Sequence, residues 1–167
     1  MPEAISDTGP ILHLHEIDRL DTLGVFDRLI IPGMVAGELS LYGLEDATLS
    51  TLGVRISVVP VSTASRQAIM VGDGPLIHPA DAEVFVLAEG NGFQIPVLTD
   101  DLALRRRLEA RGAVVVGSIG VLVRAYRIGR LTRPELESAV DALFTVSTLR
   151  LSRAFCAYVR QLLADLP

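Results

Sequence analysis

The chain has 167 residues, half of them apolar, a formal net charge of −5 and a single cysteine. That length suits one domain with a proper core, and one cysteine excludes both an intrachain disulfide and a cysteine-rich zinc site. No apolar run approaches the ~18 residues of a membrane span, and no basic segment followed by an apolar stretch opens the chain, so a cytoplasmic protein that does not engage a membrane is expected. The charge is uneven. Residues 1–100 hold 14 acids and 4 arginines, a balance of −10, whereas residues 101–167 hold 6 acids and 11 arginines, a balance of +5. Every cation is arginine, whose planar fork grips phosphate with two hydrogen bonds.

Taken in chain order, Ala4 to Ser6 reads as a short strand, followed by a helix over Ile11 to Ile17 and a short one around Leu20 to Phe26. Leu29 to Ile31 is a buried strand stopped at Pro32-Gly33, and Met34 to Leu41 is helical. A helix over Leu44 to Leu52, a β-branched strand over Val54 to Val61 and a helix over Ser62 to Val71 follow. Gly72-Asp73-Gly74-Pro75 breaks the chain, and His78-Pro79-Ala80-Asp81 starts the clearest helix, which runs to Glu89 and ends at Gly90-Asn91-Gly92. Ile95 to Thr99 is a strand, Leu102 to Arg111 a helix closed by Gly112, and Ala113 to Val116 a last strand. Helices over Ile119 to Ile128, Pro134 to Phe144 and Arg153 to Leu163 complete the chain. Strands alternating with helices imply an α/β fold: a central, mostly parallel sheet with helices on both faces. In such sheets sites form outside the carboxyl ends of the strands. That rule selects Asp7, after the first strand, and Asp100-Asp101, after Leu98-Thr99.

Each acid has an ordinary explanation when taken alone. Asp7 or Thr8 suits a helix cap, and either Asp100 or Asp101 suits another, although one carboxylate suffices for a cap and the second adds repulsion. Glu38 lies on an otherwise apolar helix, and Glu83 opens the buried run Glu83-Val84-Phe85-Val86-Leu87-Ala88. Asp81 sits two residues earlier and projects to roughly the opposite side, so one of the two faces any shared site. Together the acids suggest carboxylates neutralised by a hard divalent ion, Mg²⁺ or Mn²⁺. Such an ion lowers the pKa of bound water and stabilises charge on a phosphodiester in reaction.

The pieces "ISDTGPILHLHEIDRLDTLGVF", "LIIPGMVAGEL", "ADAEVFVLAEGNG" and "VLTDDLALRRRLEARGAVVVGSIGVLVRAYRIGRL" resemble PIN-domain nucleases, especially the small prokaryotic branch related to toxins of toxin–antitoxin pairs. The resemblance covers most of residues 4–131, and the helices from about 132 match more loosely. It implies a PIN-like three-layer α/β/α domain over 1–167 and a metal-dependent ribonuclease leaving 5′-phosphate and 3′-hydroxyl ends. The acids it assigns are Asp7, Glu38, Glu83 and Asp101, with Asp81 and Asp100 as alternatives at the third and fourth places. The branch resembled carries a pair of acids at the third place, which Asp81 and Glu83 occupy; Glu83 is preferred because it directly precedes the buried apolar run, with Asp81 close behind. Thr8 and Thr99 are implied as supporting hydroxyls, and Arg105 and Arg106 as phosphate contacts at the pocket mouth. The resemblance also implies an RNA substrate, a homodimer and, for a toxin, an antitoxin as candidate partner. A catalytically silent PIN-fold module that binds RNA or protein is the alternative. A phosphotransfer receiver is disfavoured because the chain has no lysine, and a haloacid-dehalogenase-like phosphatase because Asp7-Thr8-Gly9 lacks the Asp-x-Asp pattern. His13 and His15, at i and i+2, make a poor metal pair. His78 reads as a surface loop residue, Cys156 as core, and Arg124, Arg127 and Arg130 as either an RNA-facing stripe or a wet helix side.

Overall fold

The computed structural model describes residues 2–50, 53–72 and 76–167. β1 (Glu3–Ser6) leads into α1 (Thr8–Glu16) with only Asp7 between them. The helix begins earlier than Ile11 because the Asp7 side chain accepts from the Thr8 N–H, and Pro10 fits a first helical turn. A 3-10 helix (Leu20–Val25), β2 (Arg28–Pro32) and α2 (Gly33–Leu41) follow, then α3 (Asp46–Ser50), β3 (Arg55–Val59) and α4 (Thr63–Met70). The end of the helix expected over 44–52, and most of the break expected at 72–75, lie outside the described residues. α5 (Pro79–Gly90), β4 (Val97–Leu98), α6 (Leu102–Glu109), β5 (Val115–Val116), α7 (Ser118–Arg127), α8 (Arg133–Thr145) and α9 (Arg153–Ala164) complete the order.

The five strands form one parallel sheet in the order β3-β2-β1-β4-β5. Ile5 of β1 faces Ile30 of β2 on one side and Val97 of β4 on the other. β4 and β5 are shorter than Ile95–Thr99 and Ala113–Val116. Pro96 has no N–H to donate, so the pairing toward β5 starts with the Val97 N–H on the Val114 carbonyl. The sheet lies between helices. α1 and α7 pack together with the 3-10 helix, while α4, α5 and α6 pack as a second group, with α5 also against β1 and β2. Ile5, Leu29, Ile31 and Leu98 of the strands join Leu14, Leu39, Val84 and Leu104 of the helices in one buried core.

The last helices are joined to this body through α7. α8 packs on α7 and buries Leu136, Val140 and Leu143, opened by a Thr132–Glu135 capping box and Pro134 in its first turn. α9 buries Val159 and Leu163, and the Arg133 side chain donates to the Leu163 and Leu166 carbonyls at its end. The single-domain expectation has a direct test here. Truncating fully buried Leu143 to alanine is expected to lower stability by about 2–5 kcal/mol in urea unfolding. One cooperative transition should remain; a separate early transition would mean that the last helices fold apart from the sheet.

Candidate functional site

The strand order places a topological switch point between β1 and β4. From β1 the chain adds β2 and β3 on one side, then returns to add β4 and β5 on the other, which opens a crevice at the strand carboxyl ends. The Asp7 N–H continues the ladder to the Leu98 carbonyl at 2.9 Å, and the Thr99 N–H continues it to Val116. Asp7 and Thr99 are therefore neighbours in the crevice, 7% and 0% exposed.

Their side chains are joined. Asp7 Oδ1 accepts from the Thr8 N–H at 2.7 Å, and Asp7 Oδ2 accepts from Thr99 Oγ1 at 3.0 Å. Thr99 Oγ1 in turn accepts from the Asp101 N–H at 3.1 Å, while Asp101 Oδ1 caps α6 through the Leu104 N–H. Thr8 donates its hydroxyl to Glu38 Oε2, which ties α2 to the start of α1. His78, the cap of α5, places its Nδ1 3.9 Å from Glu38 Oε1, so it stands at the rim of the crevice.

Electrostatics picks out the same group. Burial pushes the Asp7 carboxyl up to about 6, against the pull of the Thr8 N–H and the Thr99 hydroxyl; Glu38 and Asp101 repel it further. Burial likewise lifts Asp81 to about 7, with added repulsion from Asp7, Asp101 and Glu38 and partial relief from His78. Asp7 thus feels Glu38 and Asp101, and Asp81 feels all three.

The remaining acids of the sequence reading lie in other surroundings. Glu83, 2% exposed, turns to the opposite side of α5. Its Oε2 accepts from the Met34 N–H at the start of α2, and its Oε1 pairs with Arg66 of α4 at 2.9 Å. Asp100 accepts from the Ser118 N–H and hydroxyl and lies 2.7 Å from His13 Nδ1. Arg105 donates to the Val115 carbonyl at 3.1 Å and approaches Glu109 and the Thr99 carbonyl, so it braces the ends of β4 and β5. Arg106 is exposed in the last turn of α6. Arg124 covers the Phe26 ring. Sequence reasoning did not single out Arg66 or Ser118. Ser118 was within reach, since it follows the last strand at the same sheet edge as Asp7 and Asp100. Arg66 carried no local signal.

The donor set of the crevice is carboxylate and hydroxyl oxygen, which fits a hard divalent ion. Among the described residues, however, no three His, Cys, Asp or Glu side chains already converge as a finished ligand set.

The raised carboxyls make a pH prediction. Asp81 is ordinary, near 3.8, in the unfolded chain and titrates at about 7 when folded. The folded state therefore holds its proton more tightly, and the resulting stability is complete below pH 4 and lost as pH rises through 7. Asp81→Asn should raise the melting midpoint of the metal-free protein at pH 8, by roughly 2–4 °C per kcal/mol of burial cost and repulsion removed, and should give no gain at pH 4. An equal gain at both pH values would contradict the raised carboxyl.

A family model described as a PIN domain (DUF3368) matches residues 3–165. No curated protein matches the chain. Among solved structures, a PilT N-terminus domain protein of the hyperthermophilic archaeon Sulfolobus solfataricus is similar, at 13% identity and a TM-score of 0.47, over 72% of this chain and 91% of that one. Since the family model spans nearly the whole chain, this protein belongs to the PIN-domain family, whose fold is of nuclease type.

Proposed function

We propose that this PIN domain is a divalent-metal-dependent ribonuclease, with Mg²⁺ or Mn²⁺ held by Asp7, Asp81 and Asp101. The observation that carries the proposal is the set of carboxylates that share the crevice at the switch point, with Asp7 tied through Thr99 to Asp101. Burial first, and repulsion from the neighbouring acids second, lift Asp7 to about 6 and Asp81 to about 7. Asp7 is buried, Glu38 and Asp81 are half-buried and Asp101 is exposed, and carboxylates gathered in this way invite a cation as their counter-charge. Asp81 takes the third acidic place in this reading, and Glu83, spent on Arg66 and Met34, holds α5 against α4 and α2.

When bound, the ion supplies activated water and charge stabilisation at phosphorus. The chain's own residues set the geometry. Thr99 fixes the second oxygen of Asp7 and the amide of Asp101 together, so the two carboxylates are oriented as a unit. Glu38, half-buried and held by Thr8, faces the crevice as the group that orients water or holds a second ion. Water oxygen adds to phosphorus, the bond to the 3′ oxygen breaks and the proton passes to that oxygen, leaving 5′-phosphate and 3′-hydroxyl ends. Arg106 is the phosphate contact of the two arginines first considered, because Arg105 is committed to backbone carbonyls.

The toxin reading is an extension: a cytoplasmic homodimer whose crevice is blocked by an antitoxin protein. Its support is the family alone. No helix among the described residues is long and apolar enough to cross a membrane.

The deciding experiment incubates the protein with structured and single-stranded RNA in Mn²⁺ or Mg²⁺. Cleavage should vanish with EDTA, and should fall by at least ~10²-fold in Asp7→Asn and Asp81→Asn, the scale of losing preorganised charge stabilisation. Glu83→Gln should lower thermal stability yet retain cleavage at temperatures where it is folded. Arg106→Ala should raise KM and reduce the salt dependence of binding. No cleavage of any RNA by folded wild type, together with no metal uptake, would replace this proposal with a binding module.

A further inference from the structure

Asp100 adjoins a proposed metal ligand, yet its carboxylate faces the other way and is fully engaged. Oδ1 accepts from the Ser118 N–H at 2.7 Å, while Oδ2 accepts from the Ser118 hydroxyl at 2.5 Å and lies 2.7 Å from His13 Nδ1. A carboxylate only accepts, so the proton between the last pair sits on His13 Nδ1. The side chains of His13 and Asp100 are 13% and 9% exposed, and Ser118 is wholly buried.

The surroundings are arranged for this carboxylate. α7 has glycine at its cap position and no side-chain cap of its own. A Cβ on Gly117 would stand 2.8 Å from Asp100 Oδ1 and 3.3 Å from Arg105 Nη2. The serine, threonine or asparagine that ordinarily caps a helix would therefore displace Asp100. The local cap is given up, and a carboxylate 18 residues distant does its work. Capping α7 does not require His13. That second bond reaches α1, the helix whose own cap is Asp7. Asp100 also belongs to the turn Thr99-Asp100-Asp101, in which Thr99 holds Asp7. Asp100 thereby connects the element carrying Asp7 to the turn carrying Asp101 by a route separate from Thr99.

We propose that Asp100, with His13 and Ser118, is a positioning bracket that sets Asp7 and Asp101 relative to one another for the divalent cation. The inference rests on the metal reading given above. Partners that orient ligands without touching the ion change metal affinity by ~10–100-fold when removed, and that is the expected effect here.

The test is calorimetric titration of Mn²⁺ into the metal-free full-length protein. Asp100→Asn, which keeps the shape but loses acceptor capacity, should weaken Mn²⁺ binding by ~10–100-fold. His13→Ala should weaken it in the same direction, and the double variant should bind about as well as Asp100→Asn alone, because one bracket is broken only once. Ser118→Thr, which keeps both donors, should restore the affinity lost in Ser118→Ala. In RNA cleavage the bracket variants should lose kcat at unchanged KM. Leu143→Ala, destabilised at a distance, should bind Mn²⁺ like wild type. Wild-type affinity in Asp100→Asn, or an equal loss in Leu143→Ala, would overturn the bracket while the metal reading stands. Abolition of binding in Asp100→Asn, equal to that in Asp101→Asn, would overturn it by making Asp100 a ligand. Failure of wild type to bind Mn²⁺ would remove the metal reading, and the bracket with it.

Discussion

The parallel pairing of β1 with β4 is the constraint on which the rest of the molecule depends. It brings the ends of two strands separated by some ninety residues of chain to the same level, so Asp7 and Thr99 become neighbours. It also makes the crevice at their carboxyl ends unavoidable, because the chain leaves β1 toward β2 and comes back on the other side as β4. A carboxylate at that point is removed from water by the strands and helices around it. Two hydrogen bonds stabilise its charge, and burial with neighbouring acids opposes it more strongly.

The acids of this protein fall into two physical kinds. Glu83 and Asp100 have donors for both oxygens, in one case a backbone N–H with a guanidinium, in the other a backbone N–H with a hydroxyl and an imidazole; Asp7 also has a donor on each oxygen, yet there burial outweighs them. The Glu83 and Asp100 carboxylates are at rest and hold elements together. Asp7 and Asp81 are lifted chiefly by burial, with Glu38 and Asp101 adding repulsion to both and Asp7 adding it to Asp81. The distinction depends on which donors surround each carboxylate, and proximity in sequence does not predict it: Asp100 and Asp101 are adjacent, yet only one faces the crevice group.

A parallel division applies to the arginines. The positive balance of residues 101–167 suggests a continuous track for phosphate, yet several of its cations have work within the fold. Arg105 braces two strand ends, Arg111 lies over the Phe85 and Phe93 rings, Arg124 covers Phe26, and Arg133 and Arg160 fasten α9. These guanidiniums combine apolar contact with charge, so a count of positive residues overstates the surface open to RNA.

The sequence by itself determined the alternation of strands and helices, the boundaries set by Pro32-Gly33, Pro79 and Gly112, and the two strand ends at which acids cluster. These are properties of short segments: side-chain period, proline and glycine geometry, and capping chemistry act over a turn or two of chain. Only the tertiary structure gave Asp81 and Glu83 their different surroundings. Two residues apart on α5, they point to opposite sides, and the choice of side was made by Arg66 and Met34 from distant segments that claimed Glu83. It also turned Asp100 toward His13 and Ser118 and left Asp101 at the crevice. The rotation of a helix about its axis is fixed by what packs against it from elsewhere in the chain, and a local pattern carries no record of that partner.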